Sequence, residues 1–180
     1  MEMTRYFNEE HIPIAYLITF RCYATWMHGD ERGSVDRAHN RYGTPFIPEN
    51  DRWREYSTHL VRHEPVTLDA AQRAAVGEAI RETCEIRCWL LRAINIRTNH
   101  VHVVVSAQVR SELILTALKA NSTRQMRAAK CWSHAHSPWS EGGSRRYLWT
   151  DRSLERAVNY VINGQGGPMP DFNAVGDEPD

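Results

Sequence analysis

The chain carries no surplus of charge. Its 22 basic and 22 acidic residues leave a formal net charge of zero, which excludes a polybasic protein that coats nucleic acid without selectivity. Long apolar runs are missing too, since none approaches the ~18 residues that cross a bilayer. The first residues, MEMTRYFNEEH, are acidic and polar where a secretory signal is basic and then apolar. The expectation is a cytoplasmic protein without a membrane partner. Cysteine is scarce, with four in 180 residues at 22, 84, 88 and 131 and no CxxC pair, so a disulfide scaffold is excluded. Ten glycines and eight prolines are too few for a fibrous or low-complexity chain. What remains, 42% hydrophobic and 24% charged, suits one globular domain over residues 1–180.

Charge is unevenly spread. Residues 100–160 hold nine basic and four acidic side chains, whereas the last twenty hold four acids and no base. A basic stretch followed by an acidic tail over 168–180 is compatible with a polyanionic partner, and equally with a solvated charged face. A zinc reading also arises, because four of Cys84, Cys88, Cys131, His134 and His136 could bind one ion tetrahedrally. The spacing matches no zinc signature, and Cys84 and Cys88 fall within apolar patterns where cysteine acts as a small hydrophobe.

Residues 15–23, AYLITFRCY, read as a strand. A polar, glycine- and proline-containing insertion over 24–62 follows, too long for an ordinary connection. Thr67 or Asp69 caps an amphipathic helix with apolar positions 68, 71, 75, 76, 79 and 80. Residues 88–96 and 101–105 are two strands joined by the turn Arg97-Thr98-Asn99. Ser111 opens a helix with apolar positions 113, 114, 117 and 118. Residues 145–149 form a fourth strand, and Thr150 or Asp151 caps a final helix that glycines 164, 166 and 167 end. The order β–α–β–β–α–β–α predicts an α+β, ferredoxin-like fold: an antiparallel four-stranded sheet plus a C-terminal helix.

The sharpest chemical signal is Asn99-His100-Val101-His102-Val103-Val104-Val105. Alternation along a strand puts His100 and His102 on one face and Val101, Val103 and Val105 on the other. Two imidazoles so placed can converge on a cation. Tyr160 in the last helix is followed by Asn163 and Gln165, and an imidazole and amide donor set suits Mg²⁺ or Mn²⁺. A tyrosine hydroxyl beside such a site is a candidate covalent nucleophile. Around an ideal helix Asn163 lies roughly 60° from Tyr160 and Gln165 roughly 140°, which favours Asn163 unless the helix ends at the glycines.

NHVHVVV, a tyrosine in a late helix and this element order resemble the single-tyrosine HUH transposases of insertion sequences and their REP-associated tyrosine transposase relatives. The segments ITFRCYATWMHGDERGSVDR (18–37), KANSTRQMR (119–127), RRYLWTD (145–151) and YVINGQGGPM (160–169) resemble the same family in the same order. The resemblance implies that His100 and His102 are metal ligands and that Tyr160 is the nucleophile, with Gln165 completing the metal site. It departs at Gly164, four residues after the tyrosine, where the family commonly carries an amide. It further implies cleavage and rejoining of single-stranded DNA beside a hairpin through a 5′-phosphotyrosine, and it leaves monomer and homodimer open. Trp26, Arg32, Arg124, Arg127, Arg145 and Arg146 are the expected DNA contacts. The alternative is a hairpin-binding protein without turnover, which Gly164 favours.

Overall fold

The computed structural model describes residues 12–25 and 50–166. The elements are β1 (Ala15–Arg21), α1 (Asp51–His59), α2 (Ala70–Ile86), β2 (Leu90–Ile96), β3 (His100–Ser106), α3 (Ser111–Ala128), β4 (Ser144–Leu148) and α4 (Asp151–Asn163). The strands form one antiparallel sheet of order β2-β3-β1-β4, the ferredoxin-like arrangement the sequence predicts.

The period-two pattern gives the sheet two apolar faces. On one, Ile18, Phe20, Val101, Val103 and Val105 pack against Val76 and Ile80 of α2 and Ile114, Leu118 and Met126 of α3. On the other, Ala15, Leu17, Ala93, Val104 and Leu148 receive Ala157 and Val161 of α4. Burying each larger aliphatic side chain contributes roughly 1.5–3 kcal/mol. The smaller second core therefore holds the tyrosine-bearing helix with fewer groups than hold α2 and α3. A register shift between Leu91 and Ala93 in β2 sets Ala93 opposite Val104 and Asn95 opposite His102, on the α4 side.

Side-chain caps start the helices where the sequence offers them. Asp69, and not Thr67, caps α2 in a reciprocal box with Gln72, and Thr150 caps α4 in a box with Ser153. Four expectations are corrected. The insertion contains a helix, α1, whose first turn is held by the Asn50 side chain accepting from the Trp53 amide at 3.1 Å. Cys88 is exposed and turns the chain into β2 at φ 55, so it is no strand hydrophobe. Ala71 and Leu113, expected on apolar faces, are exposed, while Arg73 is buried with one Nη1 bond to the Leu68 carbonyl at 2.9 Å. Finally, no three His, Cys, Asp or Glu side chains among the described residues gather as a metal site, because Cys84 is buried in the core and Cys88 faces outward; the zinc cluster is not assembled. No helix among the described residues is long and apolar enough to cross a membrane.

Candidate active site

His100 and His102 lie on the face of β3 that α4 covers, their rings 4.7 Å apart between centroids. Each has its Nδ1 engaged: His100 with Asn99 Oδ1 at 2.6 Å, His102 with the Thr19 hydroxyl at 2.7 Å. Thr19 is the cross-strand partner of His102 in β1, so the register supplies the contact. With both Nδ1 atoms occupied, each Nε2 is left to the site, which is how a hydrogen bond to one ring nitrogen orients a metal-binding histidine. Burial, above all, pushes the His102 pKa down to about 4, helped by the neighbouring His100 and Arg21 charges. Burial likewise lowers His100, opposed by its contact with Gln165 and reinforced by Arg21 and Arg97. Both imidazoles are therefore neutral at physiological pH, the state that ligates a cation.

Tyr160 projects from the last turns of α4 with its ring 5.5 Å from that of His102, and 48% of its surface is open to solvent. The end of this helix is closed by amides. Gly164 N–H donates to the Tyr160 carbonyl at 2.9 Å, and Gln165 Nε2 donates to the same oxygen at 3.2 Å. The Val161 carbonyl, one of those a helix C-terminus leaves unpaired, accepts from Asn95 Nδ2 at 3.0 Å. Asn163 instead donates along its own helix to Asn159 Oδ1 at 2.6 Å.

The bond to the Tyr160 carbonyl orients the Gln165 amide so that its Oε1 faces His100 Nε2 at 3.4 Å. His100 thus stands between two carbonyl-type oxygens, those of Asn99 and Gln165. A neutral imidazole has one proton, so one contact opposes a nitrogen lone pair to an oxygen lone pair. A cation relieves that opposition. Two imidazole nitrogens and an amide oxygen are donors that suit Mg²⁺ or Mn²⁺.

Gly164 has its own explanation. A Cβ there would stand 2.7 Å from the Tyr160 carbonyl oxygen and 2.9 Å from Cδ2 of its ring. A side chain at this position collides with the tyrosine, and the amide nearest the histidines comes from the next residue.

The other expected residues are scattered. Trp26 and Arg32 lie outside the described residues. Arg124 and Arg127 are on α3, across the sheet from Tyr160: Arg124 pairs with Glu82 of α2 at 3.6 Å, and Arg127 Nη2 donates to the His134 and Ala135 carbonyls at 3.2 and 3.0 Å. Arg145 is bonded to Glu112 on that same side, whereas Arg146 shares the alternation of Leu148 and stands exposed on the α4 side. The sequence assigns no role to Thr19, Asn95 and Arg21, although Thr19 and Arg21 fall in the family-like segment 18–37; all three reach the site through cross-strand register. Their signal is parity, since Thr19 and Arg21 alternate with the same period as Ala15 and Leu17 along β1.

Residues 59–159, more than half of the 180-residue chain, match the family model described as transposase, IS200-like. The chain belongs to this family. Among solved structures it is similar to a REP-associated tyrosine transposase bound to a REP hairpin, at 10% identity and TM-score 0.44 over 83% of this chain and 65% of that one. It is also similar to a proposed transposase from Deinococcus radiodurans R1, at 13% identity and TM-score 0.42 over 86% and 92%. The chain thus spans less than two thirds of the first of these structures. No curated protein matches it.

Proposed function

We propose that the protein is a metal-dependent single-strand DNA nickase and strand transferase, with Tyr160 as nucleophile and His100, His102 and Gln165 as the ligands of a Mg²⁺ or Mn²⁺ ion. The observation that carries the reading is the convergence of His100, His102, Gln165 and Tyr160 at the end of α4, with His100 Nε2 facing Gln165 Oε1 at 3.4 Å and the His102 and Tyr160 rings 5.5 Å apart. Membership of the IS200-like family supports it.

In this reading the Tyr160 hydroxyl loses its proton to solvent and its oxygen attacks the scissile phosphorus. The bond from phosphorus to the 3′ oxygen breaks, and that oxygen takes a proton from solvent. The products are a 5′-phosphotyrosine and a free 3′-hydroxyl. Such a hydroxyl attacks a phosphotyrosine in reverse, so strands are joined without external energy. The bound ion supplies polarisation of the phosphodiester and offsets charge in the transition state. Thr19 and Asn99 hold the imidazoles in orientation, while Asn95 and Gln165 hold the tyrosine turn.

The substrate is single-stranded DNA folded into a hairpin, handled by one domain that includes the 24–62 insertion and the acidic tail. Trp26, Arg32, Arg124, Arg127, Arg145 and Arg146 are its proposed contacts. The homodimer is tested by light scattering of the protein with and without DNA. The activity is tested by incubating the protein with labelled hairpin oligonucleotides from the gene's own flanks and Mg²⁺ or Mn²⁺. Cleaved strands with a free 3′-hydroxyl, abolished by EDTA, are the expected result. Binding without cleavage at any metal concentration would overturn the reading in favour of a hairpin-binding protein.

A further inference from the structure

We propose that a cavity on the α3 side of the sheet, walled by Tyr23, His63 and His136, takes one unpaired nucleobase of the single strand beside the hairpin. The inference rests on single-stranded DNA as the substrate, and it adds a base-binding site built from residues to which the proposed reaction gives no role.

The histidines of the unassembled zinc cluster have ring neighbours instead of a metal. His136 lies flat on His63, with centroids 3.9 Å apart and planes 8° apart, and the Tyr23 ring stands 6.0 and 6.2 Å from the two. Trp132 meets His136 edge-on at 5.4 Å, and its Nε1 donates to the His136 carbonyl at 3.1 Å. Tyr23 is fixed at both ends: its amide donates to the Pro138 carbonyl at 2.8 Å, and its hydroxyl accepts from the Arg62 amide at 3.0 Å. Three segments distant in sequence thus hold these rings in place. Between them and Lys119 and Trp139 lies a cavity of about 430 Å³.

The lining selects the ligand. Small-molecule pockets are walled mainly by apolar side chains, yet no aliphatic residue lines this one. Its walls are rings and polar groups, which offer faces for stacking and edges for hydrogen bonding, as an unpaired base requires. Lys119 supplies a donor. Its ammonium gives two of its three protons to the Ser140 and Gly142 carbonyls at 2.6 and 2.9 Å, which leaves one for a carbonyl or ring nitrogen on a base edge. The cavity also stands at the right end of the sheet. Cys22, just before Tyr23, donates its amide to the Asn99 carbonyl at 2.9 Å, and the Asn99 side chain holds the His100 ring. A strand with its scissile phosphate at Tyr160 reaches the cavity by rounding that end.

The test uses hairpin oligonucleotides from the gene's own flanks, with the unpaired bases removed one at a time to leave abasic sites. Binding is measured without metal on the full chain, so that no strand is cut. The wild type is expected to bind about 10-fold more weakly when the base that fills the cavity is missing. His63→Ala with His136→Ala should bind the natural and that abasic strand alike, whereas His63→Phe with His136→Phe, which keeps two stacking faces, should retain the difference. In a second measurement 5-iodouracil at the same position is irradiated in the wild-type complex, and its attachment to Tyr23, His63 or His136 is expected; this readout does not depend on the folding of any variant. A wild type indifferent to every abasic site, a folded alanine variant that keeps the difference, or attachment outside the cavity would overturn the base site and leave Tyr160 as nucleophile untouched. A wild type that shows the difference yet forms no adduct with Mn²⁺ overturns the reading of Tyr160 and supports the base site. A wild type that does not bind the hairpin strands overturns both.

Discussion

Gly164 is the residue whose replacement reports most sharply on the tyrosine. A methyl group there meets the carbonyl and ring of Tyr160 at 2.7 and 2.9 Å, a crowding that only a shift of the tyrosine or of the helix end at 164 relieves. Gly164→Ala should therefore cost roughly 1–3 kcal/mol of stability and slow adduct formation, measured by urea unfolding and by single-turnover cleavage. An alanine variant as stable and as active as the wild type would show that the crowding does not occur. The histidines give a pH signature. His102 titrates near 4 in the folded protein and near its usual 6.5 when unfolded, so the unfolded chain binds the proton first as pH falls. Stability contributed by the neutral, buried ring is fully present above about 6.5 and is lost as pH drops toward 4. The urea midpoint of the metal-free protein should fall across that window, and His102→Gln should flatten the fall. At this scale the sequence was partly legible. Alternation alone put His100 and His102 on one face, whereas the choice between Asn163 and Gln165 turns on where the helix ends, which helical angles do not decide. The collision at Gly164 depends on a backbone oxygen and ring edge that no motif encodes.

Among the elements, α4 carries the tyrosine and rests on the smaller of the two cores. Its apolar face offers Ala157 and Val161 to the sheet, and the Asn95 side chain of β2, bonded to the Val161 carbonyl, ties its last turn down. Asn95→Ala should cost about 1 kcal/mol and slow cleavage while leaving DNA affinity unchanged, because the bond it removes holds the last turn of α4 and not the strand that carries the histidines. Equal effects on affinity and rate would contradict this. The regular elements were legible because each buries one face: the β1 and β3 patterns, the Asp69 cap and the Thr150 cap all predict what forms. Helix α1 was not, since DRWREYSTH has no apolar stripe and only its Asn50 cap announces it. Asn95 was hidden because the register shift in β2 decides which face it takes.

For the whole molecule, the sheet divides the basic residues between its two faces. Tyr160, the histidines and Arg146 lie on the α4 side, whereas Arg124, Arg127 and Arg145 lie with α3. Composition could show the excess of positive charge over 100–160 but not its division between faces, which needs the strand order. Arg124→Ala with Arg127→Ala should weaken single-stranded DNA binding and lower the salt slope by roughly 0.7 for each phosphate no longer neutralised, without changing the adduct rate at saturating DNA. An unchanged slope would put the DNA elsewhere.

In the proposed reaction one oxygen, that of Tyr160, becomes bonded to DNA. Tyr160→Phe removes that oxygen and keeps the ring, so packing against His102 and DNA affinity should hardly change. The protein is incubated with a labelled single-stranded hairpin and Mn²⁺, denatured, and resolved by electrophoresis to detect protein shifted by an attached strand. The expected result is a shifted band from the wild type and none from Tyr160→Phe. A shifted band of equal intensity from the phenylalanine variant would contradict it.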